Sequence, residues 1–408
     1  MHTDLGKAFL IIYLKYPRLS LKNSSSFNII VKPTGAQCNL ACEYCFFLKK
    51  EKLYPNSHFR MADETLEVFI RQYVESQPDG EVIFTWQGGE PTLMGIPFFE
   101  KAVVLQEKFK RPGQTIQNAF QTNGILLNND WGRFLSEHRF LAGLSMDGPQ
   151  LYHDAYRKTG AGGGTHSLAL AGLEILKKNQ VETNILACVS AANVKDPLGV
   201  YRFFRDDLDM HYLQFIPIVE RDNATGNQKG DKLTSRSING KDFGSFLITI
   251  FDEWVHNDVG NIFVQLFETC LGVYLGLPSA ICIFSETCGS CLALEHNGDL
   301  YSCDHYVQPD ALLGNITDEP LYDLVFSQPQ MTFGQNKKAL LPKKCLRCEV
   351  RFICNGDCPK NRILPAIKGD YPISNLCDSY YAFFKHIDKA MRTMASLYRF
   401  GKPIKEIM

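Results

Sequence analysis

The sequence predicts an α/β fold built from parallel strand–helix units, followed by a smaller cysteine-rich region. Three observations carry this expectation. From residue 27 to about 218, six short β-rich runs alternate with stretches of helical periodicity. Three cysteines cluster directly after the first of those runs. Nine of the fourteen cysteines then fall between Cys282 and Cys377. Alternation of this kind yields a parallel sheet, either doubly wound or curled into a partial barrel. A chain of 408 residues is also too long for one ordinary core, so a second domain is expected.

Taken in order, residues 1–26 end in Asn23-Ser24-Ser25-Ser26 and are expected to form an extension outside the core. The apolar run 8–14 is far too short to span a bilayer and lacks a signal-peptide cleavage site. Strands are expected at 27–32, 81–87, 115–121, 141–146, 183–189 and 212–218. Leu66, Phe69, Ile70, Tyr73 and Val74 recur at the spacing of one buried helix face. Further helices are expected at 98–109, 129–138, 167–178 and 194–207. Residues 219–245, rich in Asn, Gly, Lys and Ser, suggest a linker or mobile loop. Helices near 246–257 and 263–275 follow. The expected division is an extension (1–26), a strand–helix domain (27–240), a helical linker (241–280), a cysteine-rich domain (281–380) and a C-terminal helical segment (381–408).

Composition narrows the function classes. Hydrophobic residues make up 45% and charged residues 21%, as in soluble globular proteins. A net charge of −1 implies no broad polyanion-binding surface, so neither a nucleic acid nor a membrane is the expected partner. Fourteen cysteines without a secretion signal point to a reducing compartment, the cytoplasm, and to metal rather than disulfides.

The chemistry-bearing stretch is Cys38-Asn39-Leu40-Ala41-Cys42-Glu43-Tyr44-Cys45-Phe46. Four thiolates close the shell of a structural zinc or an electron-transfer cluster, so three suggest a soft metal centre with one open position. A zinc completed from a distance, or three unrelated thiols, are the competing readings. In a parallel α/β fold, binding groups sit on loops at the C-terminal strand ends, where this motif falls. Other strand ends carry Gln87-Gly88-Gly89-Glu90-Pro91-Thr92, Gln121-Thr122-Asn123-Gly124 and Ser145-Met146-Asp147-Gly148-Pro149. Glu90 suits either anchoring its turn or holding a ligand amine.

C-x3-C-x2-C with Tyr44 before the last cysteine resembles the signature of radical S-adenosylmethionine (SAM) enzymes. That resemblance implies a partial (β/α)6 barrel in which Cys38, Cys42 and Cys45 hold a [4Fe–4S] cluster. The amino and carboxylate groups of SAM would chelate its open iron. Gln87, Gly88, Gly89 and Glu90 resemble the element whose backbone holds the SAM amino group, and Tyr44, Ser145 and Asp147 complete the cofactor-binding set. Arg157 is a candidate for the SAM carboxylate, because a guanidinium pairs with it bidentately.

Cys282, Cys288 and Cys303, then Cys345, Cys348, Cys354 and Cys358-Pro359, and finally Cys377, resemble the SPASM extension of these enzymes. Two structural zincs fit the count as well. The resemblance assigns one auxiliary cluster to Cys282, Cys288, Cys303 and Cys358, and a second to Cys345, Cys348, Cys354 and Cys377. The chain would then carry three [4Fe–4S] clusters. Cys188 and Cys270 are expected as buried fillers, and Cys291 is a competitor for the place of Cys288.

Within that family the likeness is to anaerobic sulfatase-maturating enzymes, carried by Phe84-x-Trp86-Gln87-Gly88-Gly89-Glu90-Pro91-Thr92-Leu93, residues 143–149, residues 213–216 and Cys303-Asp304. It implies oxidation of a Cys or Ser in a Cys/Ser-x-Pro-x-Arg segment of a sulfatase to Cα-formylglycine. The expected partners are an unfolded or nascent sulfatase polypeptide and a flavodoxin- or ferredoxin-like electron donor. Asp304 is the expected catalytic base, with His305 the weaker alternative. The rival readings are a SPASM enzyme forming thioether or carbon–carbon crosslinks, a pure electron carrier and a zinc-ribbon binding protein.

Overall fold

The computed structural model describes residues 26–365 and 369–408. The expected extension therefore lies, Ser26 aside, outside the described residues. Six parallel strands follow in sequence order: β1 (Asn28–Lys32), β2 (Gly80–Trp86), β3 (Gln114–Thr122), β4 (Leu141–Ser145), β5 (Thr183–Val189) and β6 (Tyr212–Pro217). Helices alternate with them: α1 (Asp63–Ser76), α2 (Ile96–Phe109), α3 (Asn129–Glu137), α4 (Gln150–Tyr156), α5 (His166–Lys178) and α6 (Pro197–Arg202). The six strands and the 3/4-spaced face of α1 match the pattern in the sequence to within two residues. Leu66, Phe69, Ile70, Tyr73 and Val74 are buried, and Phe69 and Tyr73 pack edge-on against Phe84 of β2. Each such side chain contributes about 1.5–3 kcal/mol on burial.

Three expectations are corrected. The helix expected over 194–207 is helical only from Pro197 and ends in a π-turn at Phe203–Asp207. Asp196 caps it, accepting from Gly199 N, and Pro197 occupies the first turn, so the preceding residues turn instead. The linker or loop expected over 219–245 ends at residue 241, because the next helix begins at Asp242. Arg221 bridges Leu233, and the loop folds back over the C-terminal strand ends before α7 (Asp242–Asn257). The stretch 263–275 opens as strand β7 (Phe263–Val264), beside β6, before α8 (Gln265–Tyr274).

The cysteine-rich region joins the same sheet. β8 (Cys291–Glu295) pairs in parallel with β1 over five residues, from Asn28 opposite Cys291 to Lys32 opposite Glu295. β9 (Asp299–Tyr301) and β10 (Leu312–Asn315) continue it antiparallel, giving ten strands among the described residues. Beyond them come α9 (Gln328–Ala339), a two-stranded ribbon of β11 (Arg362–Leu364) and β12 (Ile373–Ser374), and α10 (Cys377–Arg399). α10 packs Tyr380 and Phe384 against Phe284, and Phe383 against Phe251 of α7 and Phe267 of α8. Among the described residues no helix is long and apolar enough to cross a membrane.

Candidate active site

A cavity of about 350 Å³ opens at the C-terminal ends of the strands. That volume falls in the range of small-molecule sites, which begins at roughly 300 Å³. Cys38, Cys42 and Cys45 line it on a loop held at both ends. The turn after β1 closes through Gly35 N to Lys32 O and Gln37 N to Thr34 O, each at 2.9 Å. Further on, Ala41 N donates to Lys158 O at 2.8 Å and Glu43 N to Tyr156 O at 2.9 Å. Burial pushes the Cys38 thiol up to about 12, against some relief from the Leu40 N–H, and Cys42 up to about 11. A soft metal centre would draw such buried thiols into thiolates. Three free cysteines on one cavity wall, beside room for a nucleoside-sized ligand, fit a four-iron cluster with an open position.

The glycine pair after β2 is fixed by the space it leaves. Gly89 N donates to Gly35 O at 2.8 Å and Glu90 N to Gln37 O at 2.9 Å. A Cβ on Gly89 would lie 1.8 Å from Gln37 O, so any side chain there would push the cysteine loop away. Glu90 anchors its turn. Its buried carboxylate accepts from Thr92 N at 3.1 Å, Thr92 Oγ1 at 2.7 Å, Thr122 Oγ1 at 2.8 Å and Asn123 N at 2.8 Å. Burial still holds its pKa above the usual carboxylate value. Asn123 completes the tie by donating to Asn39 Oδ1 at 2.8 Å. The Gln121–Gly124 stretch is thus both a turn and a wall.

On the far wall, Ser145 and Arg157 face the cavity while Asp147 sits behind them. Arg157 grips Asp147 with two bonds, Nε to Oδ2 at 3.0 Å and Nη2 to Oδ1 at 3.1 Å. The Tyr44 hydroxyl and Cys188 N, the latter at 2.9 Å, also donate to Asp147. Asp147 is therefore spent on holding Arg157 and Tyr44, and the bidentate face of Arg157 is already taken. Only the Nη1 edge remains for an anion, among the described residues. Cys188 is not an apolar filler: it lines the cavity beside Arg157, whereas Cys270 is indeed buried in the core.

Asp304 enters from the second sheet extension, three residues beyond β9, and lines the same cavity. Its partner is a residue the sequence reading passed over. Lys32, the last residue of β1, is almost fully buried and forms an ion pair with Asp304 while donating to Gln87 Oε1. Gln87 Nε2 in turn donates to Gln121 Oε1. Burial raises the Asp304 carboxyl, but Lys32, His305 and Lys360 outweigh it and hold it below its ordinary value. Asp304 is thus an ionised acceptor. The available signal was a lysine ending an otherwise apolar, buried strand.

Comparison with known proteins places this geometry. Residues 33–204 match the radical SAM superfamily, and residues 282–349 match SPASM, an iron–sulfur cluster-binding domain. The serine-type anaerobic sulfatase-maturating enzyme of Bacteroides thetaiotaomicron is 43% identical over 378 residues, 90% of each chain. The chain belongs to the anaerobic sulfatase-maturating enzymes. The cysteine-type enzyme of Clostridium perfringens is 33% identical, covering 88% of this chain and 95% of its own. The solved structure "Native anSMEcpe with bound AdoMet and Cp18Cys peptide" matches with a TM-score of 0.81 at 32% identity, covering 91% of this chain and 99% of that one. Streptococcus suis SuiB, at 16% identity and a TM-score of 0.61, shares the fold alone. The protein is a radical SAM enzyme, and its cofactors are SAM and iron–sulfur clusters.

The cysteines from Cys282 onward in this sulfatase-maturating enzyme family member fall into two neighbourhoods. Cys303 lies within electrostatic reach of Cys358, Cys358 of Cys282, and Cys288 of Cys282. Cys345 senses Cys377 and Cys348, and Cys354 senses Cys345 and Cys377. Cys291 opens β8 and neighbours Cys282, beside the first group rather than within the second. The loop at 219–236 roofs the cavity. Buried Lys50 donates to Gly226 O at 3.1 Å and Asn227 Oδ1 at 2.9 Å, and Gln228 Nε2 to His305 O at 3.3 Å.

Proposed function

We propose that this enzyme oxidises a serine, in preference to a cysteine, of a sulfatase polypeptide to Cα-formylglycine. The observation that carries this reading is the Lys32–Asp304 pair in the same cavity as Cys38, Cys42 and Cys45. SAM, when bound to the open iron, supplies a 5′-deoxyadenosyl radical that takes a hydrogen atom from the target Cβ. Asp304 then accepts the proton of the hydroxyl or thiol, and Lys32 fixes the carboxylate's position and ionisation. Held by Cys282, Cys288, Cys303 and Cys358, an auxiliary cluster beside Asp304 would supply the acceptor for the one electron that the substrate must lose. A serine gives the aldehyde directly; a cysteine gives a thioaldehyde that water hydrolyses with release of hydrogen sulfide. The backbone of Gln87-Gly88-Gly89, supported by Glu90, would hold the SAM amino group. Ser145 and the open edge of Arg157 would meet its carboxylate.

The serine preference rests on relatedness: serine-type relatives are 43% and 36% identical, against 33% for a cysteine-type one. An unfolded or nascent substrate fits a cavity roofed by the 219–236 loop, and a flavodoxin- or ferredoxin-like donor in the cytoplasm would supply electrons. The test is anaerobic incubation with SAM, a reductant and two peptides that differ only in Ser or Cys, read by mass spectrometry. Faster loss of two hydrogens from the Ser peptide is expected. A crosslinked peptide without aldehyde would establish the rival thioether or carbon–carbon chemistry instead.

The ligand sets follow the two neighbourhoods, with Cys358 serving the Cys282, Cys288 and Cys303 cluster, although its sequence neighbour Cys354 serves the other. Anomalous-scattering maps of crystals grown anaerobically should place the Cys358 sulfur on that first cube. Density joining it to the Cys345 cube would overturn the assignment.

A further inference from the structure

Two buried cations, neither of them in an ion pair among the described residues, lie among the auxiliary cysteines. Arg362, at the start of β11, is 9% exposed, and Lys337, near the end of α9, is 1% exposed. Every hydrogen bond of the Arg362 guanidinium ends on a main-chain carbonyl. Nε donates to Gly356 O at 3.0 Å, Nη1 to Lys337 O at 2.9 Å and Leu340 O at 3.4 Å, and Nη2 to Asp357 O at 3.3 Å. Lys337 Nζ likewise donates to the carbonyls of Cys282 at 2.7 Å, Ile283 at 2.8 Å and Ser285. One buried carboxylate lies nearby: Asp357 Oδ2 accepts from Asn361 at 2.9 Å and Ser374 at 2.7 Å, its Oδ1 has no hydrogen-bond partner, and its charge reaches Lys337.

Carbonyl dipoles soften the burial of a positive charge but do not neutralise it, and an unbalanced buried charge costs several kcal/mol. The fold nevertheless goes out of its way to place Arg362 here. Asn355, Gly356 and Asp357 all have positive φ, at 47°, 76° and 58°, and link Cys354 of one neighbourhood to Cys358 of the other. This unusual turn aims two of its carbonyls at the guanidinium. A Cβ on Gly356 would come within 3.1 Å of Arg362 Nη2 and 2.3 Å of Leu341 Cδ2. The guanidinium reaches electrostatically to Cys288 on one side and Cys345 on the other. Lys337 reaches Cys282 and Cys288.

A thiolate-ligated iron–sulfur cube is a net anion and gains another negative charge on reduction. Given the cluster assignment above, on which this inference rests, the counter-charge that one carboxylate, Asp357, cannot supply to two cations has an identity. We propose that Arg362 is the counter-cation shared by both auxiliary clusters, with Lys337 a second one for the first, and that together they make these clusters able to accept the substrate's electron. The electron leaves the deprotonated substrate radical, reduces the first auxiliary cluster and passes on to the second. From there a one-electron carrier removes it. Both side chains are positioning residues, acting through the clusters rather than on the substrate.

The test is an anaerobic redox titration of the full-length holoenzyme followed by electron paramagnetic resonance, with iron analysis of each sample. The SAM-binding cluster is told apart by its spectral response to SAM. Arg362→Gln should shift the reduction equilibrium of both auxiliary clusters toward the oxidised form at least tenfold, about 59 mV for one electron. Lys337→Met should shift that of the first cluster alone, and Arg362→Lys should stay near wild type. Fully loaded Arg362→Gln with unchanged potentials would overturn the proposal. If Arg362→Gln loses iron, Arg362→Lys decides: retained clusters at near wild-type potential support a charge role, and equal iron loss shows a purely structural one. Wild-type protein without auxiliary iron would instead refute the cluster assignment itself.

Discussion

Replacing Cys38, Cys42 and Cys45 together by alanine should abolish SAM cleavage while leaving the two auxiliary clusters in place. Anaerobically reconstituted wild-type protein should hold about twelve irons as three thiolate-ligated cubes, and the triple variant about a third fewer. The structure gives a reason for the losses to be separable. The three thiols sit on a loop pinned by main-chain bonds to the turn after β1 and to residues 156–158. Truncating their side chains leaves those bonds intact. The auxiliary thiols hang from other segments, between Cys282 and α10. Stoichiometric zinc in the wild type, or unimpaired SAM cleavage in the variant, would refute the assignment of the open cluster.

Asp304→Asn should lower formylglycine formation by about 100- to 10,000-fold, the usual cost of losing a positioned base. Iron content and reductive SAM cleavage should persist, because Asp304 is not a ligand and Asn keeps an oxygen for the Lys32 ammonium. Deuterium from a Cβ-labelled peptide should still reach 5′-deoxyadenosine, since hydrogen abstraction precedes the step that needs the base. A variant with full iron and wild-type product yield would exclude Asp304 as the base. Iron loss parallel to product loss would show that it only braces the loop at Cys303. Lys32→Met separates the two halves of the pair. Leaving the carboxylate buried without its cation should raise the pH at which the enzyme reaches full rate.

The parts of the molecule that were legible in the sequence are those whose cause is local. Strand–helix alternation and the face of α1 follow from side-chain periodicity, whereas the grouping of the cysteines is what the family resemblance implies. What escaped depends on groups brought together from far apart. Lys32 and Asp304 are separated by most of the chain, and nothing near a strand-ending lysine announces its partner. Glu90 had two open roles because its four donors come from Thr92, Thr122 and Asn123, on two different loops. Arg157 carries no sign in the sequence that Asp147 holds one of its edges, which leaves the other edge for a ligand carboxylate. Residues 219–241 have the composition of a spacer, and only tertiary packing through Lys50 turns them into a roof. Cys188 sits in an apolar stretch, but the strand end that carries it faces the cavity.

The parallel pairing of β8 with β1 has a consequence for how this protein can be divided. Cutting the chain before β8 would leave β1 paired with β2 alone, as a short apolar edge with unsatisfied amides, a template for association with other chains. The same cut would remove the carboxylate that balances Lys32, stranding a cation in the interior. The first 280 residues should therefore not stand alone as a catalytic unit.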